Sequence, residues 1–300
     1  MKIAVTGAFS YSGKYITRRL LERGAEVVTL TGHPDRPNPF DGRVRAFPLN
    51  FADASSLTSS LRGADVLVNT YWVRFDRGMN TQPAAVENTR RLVEAAALAD
   101  VKRIVHISIT NPSADSHLPY FWGKAANEKF VTDSGLSYAI LRPTVLFGKE
   151  DILINNIAWL LRRFPFFALP GNGSYRLQPV YVDDLAALAA EAVFETNNSL
   201  RDAVGPDIFT FREMVDLIGT RVGARRPLVQ VQPQLALRAA QFLSLFVGDV
   251  MLTPEEVDGL MADLLVSKGP PLCQTKLGDW LEENKNTVGA KYASEIARHY

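Results

Sequence analysis

A phenol, an ammonium group and a hydroxyl that can do acid–base chemistry lie close together in the sequence. Tyr120 and Lys124 are four residues apart in a segment with a helical pattern, so their side chains share one helix face. A positive charge beside a phenol lowers its pKa, which lets Tyr120 exchange a proton with a substrate hydroxyl or carbonyl oxygen. Ser108 ends the strand predicted before this helix and can hydrogen-bond the same oxygen. We therefore predict Tyr120 as the acid or base, with Lys124 and Ser108 assisting.

The chain begins with the pattern of a phosphate-binding turn. Ile3–Val5 is an apolar run that predicts a buried strand, the small residues Gly7, Ser10 and Gly13 follow, and a helical pattern then begins. This arrangement places a pyrophosphate at a helix N-terminus, where free backbone N–H groups and the helix dipole meet negative charge. Ser10 stands where the dinucleotide fingerprint has its middle glycine, and its hydroxyl can donate to phosphate. The segment predicts a dinucleotide site.

Strand and helix patterns alternate through the first half of the chain. The predicted strands are Ile3–Val5, Glu26–Thr31, Val44–Phe47, Ala64–Asn69, Arg103–Ser108 and Ser137–Leu141, and the predicted helices include Ala54–Leu61, Gln82–Ala99 and Tyr120–Thr132. This alternation predicts an α/β fold, a doubly wound, Rossmann-like parallel sheet with helices on both faces. Ligands of such sheets bind outside the carboxyl ends of the strands. The residues at those ends are Gly7, Thr31, Asn50, Asn69 and Ser108.

The pattern becomes irregular from about residue 151. We predict a dinucleotide-binding domain over 1–150, to which part of 175–195 returns, and a smaller, mostly helical substrate-binding lobe over 151–300. Phe164–Gly173 is predicted as an aromatic loop, which either lines an apolar substrate pocket or seals the lobe. Leu235–Val247 has a broad apolar helical face that needs cover from the core, a partner subunit or a membrane, and the core is favoured. Val288–His299 is the last predicted helix.

Composition argues against several kinds of partner. The net charge is +1 and no basic runs occur, which argues against nucleic acid. The four histidines are scattered, so we expect no metal site. The single Cys273 cannot form an internal disulfide and a strand begins at once, so we expect no signal peptide and a cytoplasmic protein. No stretch approaches the roughly 20 apolar residues of a transmembrane helix.

Further motifs extend to about residue 185. They are Thr6, Gly7 and Gly13, Asn50 and Asp53, Asn88, Ser108, Tyr120 and Lys124, Leu141–Pro143 with Phe147 and Gly148, and Val180–Asp184. Together they resemble the short-chain dehydrogenase/reductase superfamily of the extended or atypical kind. The layout is similar to the NAD(P)-binding proteins related to the 39-kDa accessory subunit of respiratory complex I, and to NAD-dependent epimerase/dehydratases.

The resemblance implies a dinucleotide bound across the strand ends, with Tyr120 and Lys124 also contacting the nicotinamide ribose. The cofactor contacts predicted in this way are Gly7, Phe9, Ser10, Tyr11, Ser12, Gly13, Thr31, His33, Arg36, Asn50, Phe51, Asn69, Thr70, Tyr71, Asn88, Lys124 and Pro143.

The loop after the second strand bears on the choice of cofactor. An NAD enzyme typically presents a carboxylate there to the ribose 2′-hydroxyl. Thr31 and His33 stand there instead, with Asp35 and Arg36 following. A 2′-phosphate would be attracted by Arg36, His33 and the Thr31 hydroxyl, so we predict NADP(H) in preference to NAD(H).

Two functions follow as alternatives. In the first, the protein is an oxidoreductase or epimerase that acts on an apolar small-molecule carbonyl or alcohol, as a monomer or homodimer. In the second, it is a non-catalytic NADP(H)-binding scaffold or sensor, which fits the departures from the family pattern at Ser10, Asn50, Tyr71 and Trp72.

Overall fold

A computed structural model describes residues 1–296 of the chain. Its elements up to residue 143 are β1 (Lys2–Thr6), α1 (Tyr11–Glu22), β2 (Glu26–Thr31), β3 (Arg45–Pro48), α2 (Ala54–Leu61), β4 (Val66–Asn69), α3 (Gln82–Leu98), β5 (Arg103–Ile107), α4 (Pro119–Asp133) and β6 (Ser137–Pro143). The next are β7 (Leu146–Phe147), α5 (Leu153–Arg163), β8 (Phe167–Pro170), β9 (Arg176–Leu177), β10 (Val180–Tyr181), α6 (Val182–Ala192) and β11 (Ser199–Ala203). The last are β12 (Phe209–Thr210), α7 (Phe211–Arg221), β13 (Leu228–Val231), α8 (Pro233–Val247), α9 (Pro254–Met261) and α10 (Leu277–Asn284).

Seven parallel strands form the central sheet in the order β11-β6-β5-β4-β1-β2-β3. The order reverses between β1 and β4, as in doubly wound folds. Strands β4 and β5 are buried along their whole length because helices cover both faces of a parallel sheet. The predicted Rossmann-like α/β fold is confirmed.

The chain divides into two compact units. The first comprises Met1–Pro143 and Asp183–Ala203, and the second comprises Thr144–Val182 and the chain from Val204 onward. The predicted functional boundary at residue 150, with part of 175–195 returning to the sheet, stays a prediction. By its contacts, the chain divides at Pro143, and the segment that returns is Asp183–Ala203.

The second unit has a core of its own. Phe147 is fully buried, and its ring centroid lies 5.5 Å from both Tyr181 and Trp280. Phe167 is buried as well and packs on Phe211, with 6.3 Å between centroids. Among the phenylalanines of the predicted aromatic loop, only Phe166 is strongly exposed, at 51%. Phe147 and Phe167 therefore stabilise this core.

Two predictions about this unit are wrong. Phe164–Gly173 is not a continuous loop, because it contains β8, which pairs in parallel with β13. The two strands are about sixty residues apart in sequence, and local patterns carry no information about such pairing. The Leu235–Val247 face was predicted to lie in the core, but Leu235, Phe242, Leu245 and Phe246 are 56–80% exposed. Helix α8 packs through the side that carries the buried Ala236.

The C-terminal prediction falls partly outside the description. Of the predicted helix Val288–His299, the residues after 296 lie outside the described part, and within it helical geometry begins only at residue 295. The buried Asp249 carboxylate sets this start, because it accepts hydrogen bonds from the backbone N–H groups of Glu295 and Ile296 at 2.8 and 3.0 Å. Among residues 1–296, no helix is both long and apolar enough to cross a membrane.

Candidate functional site

The phosphate turn, defined as Gly7–Gly13, has the geometry expected from its sequence. Gly7 adopts φ +67°, and a Cβ on Gly13 would lie 2.1 Å from the Gly7 carbonyl oxygen. Only glycine at residue 13 therefore lets α1 approach the turn this closely. The Gly7 N–H donates to the Leu30 carbonyl, and Ala8 N–H donates to the Thr29 hydroxyl, both at 3.0 Å. These bonds hold the turn at the carboxyl end of the sheet.

Ser10 completes the turn in an unexpected way. Its hydroxyl donates to the Gly7 carbonyl at 2.6 Å, so in this structure its proton is used within the turn. The Ser10 side chain does not cap α1, and the first turn of the helix carries no acidic residue. The N-terminus of α1 therefore keeps the positive potential that attracts a pyrophosphate.

The loop after β2 offers basic groups close to the phosphate turn. Thr31 accepts a hydrogen bond from the backbone N–H of His33 at 3.0 Å. Arg36 is half-buried, and its guanidinium forms no ion pair with a described residue. Phe9 of the turn packs against Phe40 of this loop, with 6.4 Å between ring centroids. The loop that carries Arg36 thus folds back on the phosphate turn.

A basic cavity beside this loop was missed in the sequence analysis. It measures about 290 Å³ and is lined by Lys14, Arg18, Leu21, Glu22, Pro39, Phe40 and Arg43. Lys14 in the first turn of α1 and Arg43 in the loop of Arg36 were the available signals. Their positions become meaningful only when the loop is seen to fold onto α1.

Aromatic and amide groups follow β3 and β4. The rings of Phe51 and Tyr71 pack with 4.8 Å between centroids, and Asn88 donates to the Tyr71 hydroxyl at 2.9 Å. Asn50 is exposed, and its side-chain oxygen accepts the Ala52 N–H at 3.0 Å. Phe51, Tyr71 and Asn88 therefore lie together, the first two on the loops after β3 and β4 and Asn88 on α3.

Asn69 is the centre of a buried network. Its side-chain oxygen accepts from the Thr6 hydroxyl at 3.2 Å and from the Tyr71 N–H at 3.0 Å. Its amide nitrogen must therefore face His106 Nδ1, 3.1 Å away, which makes Nδ1 an acceptor and puts the ring proton on Nε2. Thr70 joins this network, because its hydroxyl donates to the Thr6 carbonyl at 2.6 Å. Both polar atoms of the Asn69 side chain therefore form hydrogen bonds within the protein.

Two of the predicted catalytic residues, Lys124 and Tyr120, lie beside Trp72, and Lys124 reaches the end of β5, which Ser108 directly follows. Lys124 is 3% exposed and its Nζ donates to the Ile107 carbonyl, one residue before Ser108, at 3.0 Å. Nζ also lies 4.9 Å from the Trp72 ring centroid and 6.0 Å from that of Tyr120. Trp72 and Tyr120 pack edge to face at 5.6 Å. We call Trp72, Ser108, Tyr120 and Lys124 the Lys124 cluster.

Ser108 has an unusual environment for a hydroxyl. The residue is 3% exposed, and its Oγ has no hydrogen-bond partner among residues 1–296. A buried hydroxyl without a hydrogen-bond partner is destabilising unless a water or a ligand oxygen forms the missing hydrogen bond. The donor set therefore fits a bound molecule with an oxygen at this position.

Burial governs the ionisation of the cluster. It lowers the pKa of Lys124 to about 7, and the nearby Glu128 carboxylate only partly opposes this effect. Burial, and to a lesser degree the charge of Lys124, lowers the pKa of His106 to about 3, so the imidazole is neutral. His106 was missed in the sequence analysis because a single histidine in an apolar strand carries no motif.

The remaining predicted contacts are distributed along the same sheet edge. Tyr11 and Ser12 are half-buried at the start of α1, and Pro143 is buried at the end of β6, where its carbonyl accepts the Thr110 N–H at 2.9 Å. Parallel strands end at one edge, so the structure brings these residues to the same edge as the phosphate turn and the Lys124 cluster.

Comparison with known proteins agrees with this geometry. The model of the NAD(P)H-binding family matches residues 7–156, half of the chain. An uncharacterized protein of Mycobacterium tuberculosis is 29% identical over 248 residues, which are 82% of this chain and 26% of that protein. The mitochondrial NADH dehydrogenase [ubiquinone] 1 alpha subcomplex subunit 9 of Arabidopsis thaliana is 26% identical over 225 residues, covering 71% of this chain and 56% of the subunit. The chain thus spans about a quarter to a half of the length of these relatives.

A solved structure shows the same fold over nearly the whole chain. The NADPH-dependent quinone oxidoreductase of Escherichia coli, complexed with NADPH, superposes with a TM-score of 0.76 at 20% identity. The match covers 94% of this chain and 99% of the oxidoreductase.

Proposed function

This chain belongs to the NAD(P)H-binding family, and on that premise we propose that it is an NADP(H)-dependent oxidoreductase of the short-chain dehydrogenase/reductase type. Its substrate would be an apolar small molecule with a carbonyl or carbinol group. The observation that carries the proposal is the buried hydroxyl of Ser108. It has no partner among the described residues and directly follows the carbonyl that holds Lys124.

The chain offers a group for each part of the cofactor. The N-terminus of α1, which Ser10 does not cap, and the phosphate turn suit a pyrophosphate. The loops that carry Phe51 and Tyr71, with Asn88 of α3, suit the adenosine, and Lys124 suits the nicotinamide ribose. When bound, the nicotinamide supplies or accepts a hydride.

The proton chemistry falls to this chain's own residues. The Tyr120 hydroxyl would give a proton to the substrate oxygen in reduction and take it back in oxidation. Ser108 Oγ would donate a hydrogen bond to the same oxygen and fix its position. Lys124, charged in part near neutral pH, would favour the phenolate that remains on Tyr120. Burial of Ser108 and Lys124 keeps bulk water away from this step.

The preference for NADP(H) rests on Arg36. Its guanidinium forms no ion pair with a described residue. Arg36 lies in the loop after β2, together with His33, and Thr31 is the last residue of that strand. The E. coli oxidoreductase is named for NADPH, which is consistent with this preference. Cys273 is the single cysteine of the chain, so it forms no internal disulfide, which supports a reducing compartment such as the cytoplasm.

Transfer of deuterium tests the reaction. NADPH deuterated at the nicotinamide C4 would be incubated with the protein and a panel of aryl and alkyl ketones and aldehydes, and the products analysed by mass spectrometry. We expect deuterium on the carbinol carbon of at least one product. Tight NADPH binding without transfer to any compound would contradict the proposal.

The second candidate is a non-catalytic dinucleotide-binding subunit. Two observations favour it: the chain is similar to a subunit of mitochondrial NADH dehydrogenase, and Trp72 covers Lys124. A bound nucleotide would then stabilise the fold by mass action alone. A co-purified nucleotide that neither exchanges nor is oxidised by carbonyl compounds would favour this function.

A further inference from the structure

Trp72 occupies a slot that only glycine on the neighbouring helix leaves open. A Cβ built on Gly123 of α4 would lie 2.6 Å from Trp72 Cη2 and 3.3 Å from Cζ2, and 3.0 Å from Val86 Cγ2. Real Cβ atoms do not approach a ring carbon so closely, so an alanine at residue 123 would displace the indole. The position of the Trp72 ring is therefore fixed by the absence of a side chain on α4.

The same ring forms one wall around Lys124 Nζ. The ammonium lies 4.9 Å from the Trp72 centroid, and it donates to the Ile107 carbonyl at 3.0 Å from another element, β5. A carbonyl oxygen and the face of an indole both stabilise a cation that has lost its water. The Tyr120 ring, 5.6 Å from Trp72, packs edge to face on the same indole.

We propose that Trp72 is a positioning residue for Lys124, and that its indole, seated over Gly123, holds the ammonium against the Ile107 carbonyl and beside Tyr120. This inference rests on the proposed function, because it assigns how the lysine of that site is held. From the sequence, Trp72 is a bulky departure from the family pattern and a plausible neighbour of the substrate crevice, and no role toward Lys124 is predicted for it.

The other groups around Lys124 do not replace the indole. Glu128 lies on the same helix, but its carboxylate accepts from Arg142 Nε at 2.8 Å and is largely committed to that pair. His106 of β5 faces Lys124 as a neutral imidazole. The phenol of Tyr120 is the remaining titratable neighbour. The π face of Trp72 and the Ile107 carbonyl therefore contact the ammonium directly, whereas Glu128 stabilises it through its charge.

The first test measures the ionisation of Lys124 directly. Protein labelled with 13C at the lysine ε-carbon would be titrated by NMR, and Lys124→Met would identify the Lys124 signal. Trp72→Leu keeps an apolar cover without a π face, so its titration midpoint should fall by about one pH unit, with Trp72→Phe in between. A midpoint at or above that of the unaltered protein in Trp72→Leu would overturn the proposal.

The second test uses the glycine slot. Gly123→Ala should displace the unaltered indole, lower the Lys124 midpoint as Trp72→Leu does, and weaken NADPH binding several-fold. In the Trp72→Phe background the clashing Cη2 is gone, so Gly123→Ala should shift the Lys124 midpoint little further, although its Cβ still meets Val86 Cγ2 at 3.0 Å. Gly278→Ala in α10, where the nearest atom is 3.8 Å from the new Cβ, is the matched control. Full additivity of Gly123→Ala and Trp72→Phe would overturn the proposal.

The two proposals fail in different ways. If the protein binds no nicotinamide nucleotide, the proposed function is wrong, and the lysine titration still decides the role of Trp72. If the protein binds NADPH and turns over substrate, but substitutions at residues 72 and 123 leave the Lys124 titration midpoint unchanged, only the proposed role of Trp72 is wrong.

Discussion

The phosphate turn and the Lys124 cluster lie at the same edge of one sheet but relate function to stability in opposite ways. In the turn, the positive φ of Gly7 and the bare Cα of Gly13 satisfy packing and ligand access together. In the cluster, an ammonium and the Ser108 hydroxyl are buried, and burial of such groups opposes folding. Substitution should therefore affect the two regions differently: the turn loses stability with function, whereas the cluster gains stability when function is removed.

The largest expected effect is the pH-dependent destabilisation of the folded protein by the buried Lys124. Its pKa is about 7 in the folded protein and 10.5 in the unfolded chain, so between these pH values the unfolded chain binds more protons. The free energy of unfolding should therefore rise with pH over this range, by at most about 4 kcal/mol from this group.

Lys124→Met removes this dependence. The variant should be more stable than the unaltered protein at pH 7, and the difference should narrow towards pH 10, as followed by urea denaturation at each pH. Exposed Lys129→Met, in the same helix, is the control. Equal pH profiles of the Lys124→Met and unaltered proteins would show that Lys124 is not a costly buried charge.

Gly13→Ala tests the other side of the comparison. The new Cβ would meet the Gly7 carbonyl oxygen at 2.1 Å, so strand and helix must separate. We expect the free energy of unfolding to fall by about 3 kcal/mol, together with loss of NADPH binding. Urea denaturation and calorimetric titration measure the two effects. Lost binding with unchanged stability would mean that the turn serves the ligand alone.

Arg36→Ala should have a smaller and more selective effect. Loss of a charge-assisted hydrogen bond to a 2′-phosphate costs about 1.5–3 kcal/mol, which corresponds to about ten- to a hundredfold weaker NADPH binding. NADH affinity should hardly change, since NADH lacks that phosphate. Exposed Arg62→Ala is the control. Equal affinity of the unaltered protein for NADH and NADPH would refute the assignment.

The same contrast explains what could be predicted from the sequence. The bounds of β2 and α2 were predicted correctly, and the sheet followed from local alternation of apolar and polar segments. The phosphate turn is also local, because Gly7 and Gly13 are close in sequence. The pairing of β8 with β13 and the exposure of α8 depend on distant segments and could not be read locally. The packing of Trp72 over Gly123 also joins two residues that are distant in sequence, so the sequence did not predict it.

Tyr120→Phe tests the central claim most directly, because it removes one oxygen from the Lys124 cluster and leaves the ring that packs on Trp72. Turnover of a substrate found in the deuterium screen and NADPH affinity would be measured on the same sample. Tyr138→Phe in β6, at the opposite end of the sheet strands, is the control. We expect turnover to fall at least a hundredfold with NADPH affinity nearly unchanged. Turnover that survives the loss of the Tyr120 hydroxyl would contradict the account.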